Sequence, residues 1–371
     1  MNFKDLYEPA GKPTDEAVIE TLAKSQLPVV LYGNTPDVAE QIIKKLKNNN
    51  IDIDLIVFDE ESPIITEEKS LLKNVMRISV NELNAKSFAY NVITGFVKGY
   101  QCIESIKRKF KFAHSVSYLS EIFDMEIITQ EFVKENREFL EGFYNHLADQ
   151  RSKDSYIAYL LSKTRQDMKF LPPVFDKTQY FPSDIIKFSE NESYIDCGAF
   201  IGDTIEDFLR ATGNKYKKIW AIEPDRNNYK KLTVYLSEKK LNDIESVNKG
   251  IYNYSGKLPF VENASMLSMI NEKSDNCIEV DTIDNITAGE PVTYIKLDIE
   301  GAELEALKGA EQTIKKYRPT LGISIYHKKR DLIDIPLYIN QLIPEYKFYF
   351  RVHKKLAIDT VMYCIDKRRE I

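Results

Sequence analysis

Basic excess, long apolar runs and cysteine are all in short supply in this chain, and each shortage closes off a class of function. The net charge is −6 over 371 residues, so nothing points to a nucleic-acid partner. No run of eighteen apolar residues occurs, and no membrane span is expected. The opening MNFKDLYEPAGKPTDE has no apolar core of signal-peptide type, and a cytoplasmic protein is the expectation. Four cysteines occur, Cys102, Cys197, Cys277 and Cys364, with no C-x-x-C pair and no zinc spacing. Three of them sit in strand-like apolar surroundings, where a thiol is usually a small buried hydrophobe. The dinucleotide fingerprint G-x-G-x-x-G is missing from both halves. No internal repeat is visible, and no low-complexity stretch is longer than three asparagines.

What is present is ordinary globular composition, 43% apolar and 29% charged, with a length comfortable for two domains. The first part alternates strand and helix. LPVVLYG reads as a strand, and NTPDVAEQIIKKLKNNN as a helix with Thr35 as cap and Pro36 in its first turn. IDIDLIVFDEE reads as the next strand, so the unit is βαβ with a parallel sheet, repeated more weakly to about Phe123. Residues 128–171 carry apolar positions at three- and four-residue intervals and read as helix, broken by LPPVF. The third part is the more regular, strand and helix alternating from SYIDCGAF to a closing hairpin of YKFYFRVHK and AIDTVMYCI. The fold class expected is α/β: a Rossmann-like parallel sheet with a final antiparallel hairpin, preceded by a smaller Rossmann-like βαβ domain. The boundaries expected are 1–125, a helical connector 126–178, and 179–371.

Three stretches of the last part carry chemistry. YIDCGAFIGDT is strand, glycine turn and helix start, which puts free backbone N–H groups and a positive helix end at the loop. Asp196 stands where the dinucleotide motif needs its first glycine, and a carboxylate there would repel a pyrophosphate but suit a cationic amino-acid ligand. Glu223, in AIEPD, lies 21 residues beyond Gly202, where an acid accepts both ribose hydroxyls of an adenosine. It does not choose between dinucleotide and adenosyl ligands, and the plain alternative is a turn that only packs helix on strand. In IKLDIEGAELEALKGAEQTI, Asp298 and Glu300 end a strand, where ligands sit in such sheets. Glu303 reads as ordinary helix capping.

YIDCGAFIGDT, AIEPD, VDTID and IKLDIEGAELEALKGA, in this order, resemble the FkbM family of S-adenosylmethionine-dependent methyltransferases, over about Tyr180 to Cys364. LDIEGAE is the most specific block. The resemblance implies a class I methyltransferase fold and O-methylation, commonly of sugar or polyketide hydroxyls. It assigns the cofactor to Asp196, Gly198, Ala199, Phe200, Gly202, Asp203, Thr204 and Glu223, with Asp298 beside them. Phe200 departs from the asparagine many members carry there. The acceptor expected is a small molecule, a sugar or glycoconjugate, held by Glu300 and His327.

Methyl transfer to a hydroxyl requires alignment and a proton acceptor. His114 and His146 lie outside this region, and His353 lies in the closing hairpin. His327, at the end of LGISIYH, is therefore expected as base, with Asp298 orienting it or the substrate. The plain alternative is a strand-end histidine bonded to backbone. Asp298, Glu300 and a substrate diol could hold Mg²⁺, but no second acidic pair at clear spacing supports this, and no metal is expected. The rival readings are a non-catalytic adenosyl-binding or scaffold protein and, further off, an NAD-dependent oxidoreductase. The N-terminal region is expected to pack, recognise substrate or mediate self-association as a homo-oligomer, without binding a nucleotide.

Overall fold

The computed structural model describes residues 3–6, 14–33, 36–60, 71–73, 75–119, 128–165, 168–261, 269–270, 276–353 and 359–369. The chain divides into two compact units, one of 4–130 with 160–170 and one of 131–159 with 171–371 and Phe3.

In the first unit α1 (Thr14–Lys24) leads into β1 (Val29–Tyr32), α2 (Pro36–Lys47), β2 (Leu55–Phe58), β3 (Met76–Ser79), α3 (Val80–Asn84), β4 (Tyr90–Gly95), α4 (Phe96–Lys109) and β5 (Ala113–Leu119). The strands lie in the order β3-β2-β1-β4-β5, every pairing parallel, which is the doubly wound arrangement expected. Val38, Ile42, Ile43 and Leu46 of α2 bury their stripe on one face, among Val29, Leu31 and Ile93. Thr35, expected as the cap of α2, lies outside the described residues. Asp59, the acid after β2, accepts from the Tyr32 hydroxyl at 2.8 Å and from Lys109 Nζ at 2.6 Å.

The helical stretch does not stand alone as a connector. It forms α5 (Gln130–Glu135), α6 (Arg137–His146) and α7 (Gln150–Arg165), and residues 131–159 fold into the second unit. The reason is aromatic. Phe143 and Tyr156 meet edge to face, and they pack in the same way on Phe348 and Phe350 respectively. Each such pair contributes about 0.5–1.5 kcal/mol beyond its area. Buried Arg351 adds a 2.7 Å ion pair to Asp149.

The second unit continues with β6 (Ser193–Cys197), α8 (Asp203–Ala211), β7 (Lys218–Ile222), α9 (Arg226–Lys239), β8 (Ile244–Val247), β9 (Gly250–Ile251), β10 (Gly256–Val261), β11 (Met269–Ile270), β12 (Cys277–Asp281) and α10 (Ile283–Thr287). Then come β13 (Tyr294–Leu297), α11 (Glu303–Lys308), α12 (Glu311–Tyr317), β14 (Thr320–Ser324), α13 (Asp331–Leu342), β15 (Tyr346–Val352) and β16 (Thr360–Asp366). Seven strands run β15-β16-β14-β13-β6-β7-β8, with β16 antiparallel to both neighbours. This is the class I methyltransferase arrangement. The strand order reverses between β6 and β13, so their carboxyl ends border the crevice in which ligands of such sheets bind.

Two expectations need correction. IESVNKGIYN is not one strand: β8 ends the main sheet, while β9 joins a separate sheet ordered β11-β10-β12-β9. The helix expected over 301–317 breaks at Gly309. A Cβ on Gly309 would lie 2.2 Å from the Tyr252 carbonyl oxygen, so this loop presses on the break. Asp284, of VDTID, then accepts from the backbone N–H groups of Gln312 and Thr313 and gives α12 its own start.

Candidate functional site

After β6 the chain turns through Gly198, Phe200 and Gly202, all at positive φ. A Cβ on Gly198 would lie 2.1 Å from the Asp298 carbonyl oxygen, so only glycine lets β6 and β13 close here. The first amides of this turn are not free, contrary to expectation. Gly198 and Ala199 donate to the Ile222 carbonyl at 3.0 and 2.9 Å, and Phe200 donates to Glu223 Oε2 at 2.9 Å. Ala199 is buried in the core. Asp203 stays exposed at the first turn of α8.

Asp196 also departs from expectation. It is fully buried, with Lys296 Nζ 2.9 Å from Oδ1 and the Thr204 hydroxyl bonded to Oδ2. Lys296, itself 1% exposed, donates to the Gly198 carbonyl at 2.7 Å. Burial raises the Asp196 carboxyl, while Lys296 and Thr204 oppose the rise. Asp196 and Thr204 thus hold the turn rather than face a ligand, because the sequence places a lysine in register with that acid on the neighbouring strand.

Glu223 ends β7 and is buried, its Oε1 accepting from the Asp225 N–H at 3.0 Å. Burial pushes it up to about 7, against the pull of the two backbone donors. Each of its oxygens keeps a lone pair for a hydroxyl.

The second group of acids gathers where β13 and β14 end. Asp298 accepts from the Tyr180 hydroxyl at 2.8 Å and the Tyr326 hydroxyl at 3.3 Å. Burial works against its charge, but Lys296, His327 and Tyr180 together hold it below its ordinary value. Tyr180 is fixed in the left-handed region, with its N–H on the Tyr363 hydroxyl at 2.9 Å and its carbonyl on the Tyr294 hydroxyl. His327 is brought to Asp298 as expected, Nε2 lying 3.6 Å from Asp298 Oδ1 and 3.4 Å from Glu300 Oε2. Its Nδ1 lies 3.0 Å from Glu303 Oε1. Glu300, also at positive φ, is pushed up to about 7 by burial and by its acidic neighbours.

This surrounding corrects the role expected of His327. Burial lowers its pKa, but Glu303, Asp298 and Glu300 outweigh it and push the imidazole up to about 10. The three carboxylates thus favour the protonated imidazole, which has no lone pair to accept a proton. Sequence reading also missed Lys296, Tyr180 and Tyr326. Only Lys296 left a signal: a charge inside the apolar run YIKL has to face a counterion. A hollow of about 1010 Å³ lined by Lys177, Phe188, Arg210 and Lys215 lies at the other end of α8 and includes none of these groups.

Among the described residues no helix is long and apolar enough to cross a membrane. Residues 196–349 match the family model described as the methyltransferase FkbM domain. The solved methyltransferase FkbM from Methylobacillus flagellatus KT is 24% identical, with a TM-score of 0.73 over 95% of this chain and 94% of that one. That likeness shows a shared fold along almost the whole chain. An rRNA methylase from Streptococcus thermophilus matches at 12% identity and a TM-score of 0.33, over 48% of this chain and 88% of that one. A methyltransferase from Streptococcus mutans, solved with S-adenosylhomocysteine, matches at 11% and 0.32, over 52% and 94%. No curated protein matches the chain.

Proposed function

We propose that the protein, whose residues 196–349 match the methyltransferase FkbM domain, transfers a methyl group from S-adenosylmethionine to a hydroxyl of a sugar or another small polyhydroxylated molecule. The observation that carries this is the fate of the turn amides. Those of Gly198, Ala199 and Phe200 are all spent within the protein, so the first three amides of the turn offer nothing to a pyrophosphate, and the donors left are those at the start of α8. The crevice offers acids instead, and acids suit a ligand with an ammonium, a sulfonium and ribose hydroxyls.

Glu223 fits the ribose, having two backbone donors and room for two more. When bound, S-adenosylmethionine supplies an electrophilic methyl on its sulfonium. The chain's part is to hold the acceptor oxygen and take its proton. Asp298 is occupied by two tyrosine hydroxyls and His327 favours its protonated form, which leaves Glu300, partly exposed and beside the His327 ring, as proton acceptor. Asp298 and His327 then position it. The test is transfer of labelled methyl from S-adenosylmethionine to a panel of hydroxylated sugars, with calorimetry of S-adenosylhomocysteine alongside. Binding without transfer to any hydroxyl would favour a non-catalytic adenosyl-binding protein. Tighter binding of NAD would overturn the cofactor.

A further inference from the structure

We propose that Asp298, Glu303 and His327 form a binding site for one divalent first-row metal ion. The absence of a second acidic pair in sequence argued against a metal, but the fold supplies what spacing does not. β13 and β14 are parallel neighbours with Leu297 opposite Ile323, so both strands end at the same edge, and the chain beyond Ser324 brings His327 Nε2 to 3.6 Å from Asp298 Oδ1. Glu303 begins α11 and folds back onto both. One ligand atom from each of the three lies within 4.8 Å of the others.

The side chains are poorly served by the protein alone. Glu303 is fully buried, and its Oε1 accepts from Ile299 and Gly301 N–H at 3.0 and 3.3 Å. Among the described residues its Oε2 has no hydrogen-bond partner, and neither ring nitrogen of His327 makes a hydrogen bond of proper geometry, although that side chain is 8% exposed. Buried polar atoms are ordinarily paired. Here three of them sit in one small cluster, two on a histidine surrounded by carboxylates and one on the acid beside it. A dication that displaces the imidazole proton takes its place among the carboxylates and supplies a partner for these atoms.

Donor chemistry narrows the ion. Two carboxylate oxygens and an imidazole nitrogen suit manganese, iron, cobalt or zinc better than the all-oxygen preference of calcium and magnesium. Whichever ring nitrogen binds, the other keeps a carboxylate beside it, as metal-ligating histidines do: Glu303 on one side, Asp298 and Glu300 on the other. The Tyr180 and Tyr326 hydroxyls brace Asp298 in the same way. Three protein ligands leave positions open. On the methyltransferase reading, on which this role alone rests, they take two neighbouring oxygens of the acceptor, which makes a vicinal diol the preferred substrate class.

The test is titration of chelator-treated, full-length protein with MnCl₂ in the absence of S-adenosylmethionine, followed by the electron paramagnetic resonance of free Mn²⁺. One stoichiometric site, displaced by Zn²⁺, is expected. Asp298→Asn and His327→Ala should each weaken it by about tenfold or more. In the wild-type protein, which involves no variant that could misfold, Mn²⁺ should broaden the His327 imidazole resonances before those of His114, His146 and His353. No stoichiometric Mn²⁺ binding, unchanged affinity in His327→Ala, or broadening centred on another histidine overturns the site. Titrating S-adenosylmethionine into the same sample separates the two ideas. Mn²⁺ binding without cofactor binding defeats only the cofactor reading, and the converse defeats only the metal.

Discussion

Replacing Lys296 with methionine tests the electrostatic frame of the site. Lys296 is 1% exposed, and Asp196, 2.9 Å away, is fully buried. Methionine keeps most of the volume, so the cavity contribution is small. What remains is a carboxylate with no cation, and breaking a buried pair this way costs about 3–5 kcal/mol. The sign of the pH dependence follows. Without Lys296 the folded pKa of Asp196 rises further above its unfolded value of about 3.9. A group of that kind contributes stability below the unfolded pKa and loses it as pH rises, at about 1.4 kcal/mol per unit. Adding Asp196→Asn removes the titrating group. It should therefore recover about 1.5 kcal/mol in the Lys296→Met background at pH 5 and about 4 kcal/mol at pH 7, if Asp196 stays protonated throughout. The assay is urea unfolding followed by tryptophan fluorescence. Trp220 is the chain's single tryptophan, and it lies in β7 opposite Ile195, one residue before Asp196. A Lys296→Met protein within about 1 kcal/mol of wild type at pH 7, or a recovery equal at the two pH values, refutes the reasoning.

Glu223→Ala should weaken S-adenosylmethionine by about 1–3 kcal/mol, roughly 5- to 150-fold by calorimetry, because buried ribose hydroxyls lose their acceptor. Ribose hydroxyls donate to the ionised carboxylate, and Glu223 is pushed up to about 7. Wild-type affinity should therefore rise from pH 6 to pH 8 with release of protons, and affinity that falls over this range contradicts the assignment. Glu300→Gln should lower turnover by about 10²–10⁴-fold with cofactor affinity unchanged; near wild-type turnover removes Glu300 as the base. Gly142 is exposed inside α6, and nothing lies within 4 Å of where a Cβ would be added. Gly142→Ala should stabilise the protein by about 0.5–1 kcal/mol in thermal melting, and a lowered midpoint would show a constraint on that helix which the packing does not explain.

The alternation of strand and helix was legible because each element carries its own period, and so was the meeting of Asp298 with His327, since both follow neighbouring strands at one edge of the sheet. What sequence could not show was direction. YIDCGAF announces a glycine turn, but not that its amides face back toward β7. IESVNKGIYN has strand character throughout, yet its two halves pair in different sheets, a choice made by partners far along the chain. GAELEALKGAEQTIKKY keeps helical periodicity across Gly309, and the break comes from the Tyr252 loop pressing on it, a tertiary contact that no local propensity encodes.

The two acids that looked most alike, Asp196 and Asp298, came out with opposite duties, and one lysine accounts for it. Lys296 is in register with Asp196 and two residues before Asp298, so all three side chains leave the sheet on the same face. Its ammonium lies against Asp196 and the Gly198 carbonyl, which settles the charge beneath the glycine turn inside the protein. Asp298 feels the same ammonium only at longer range and relies on tyrosine hydroxyls and His327. Beyond it Glu300, Glu303 and Asp331 crowd the one imidazole, and both Glu300 and Asp331 are driven up to about 7. The negative charge left uncompensated therefore lies at the ends of β13 and β14 rather than at the glycine turn. A cation brought to this domain gains most at that end, whether it arrives as a metal ion or, on the methyltransferase proposal, as a sulfonium.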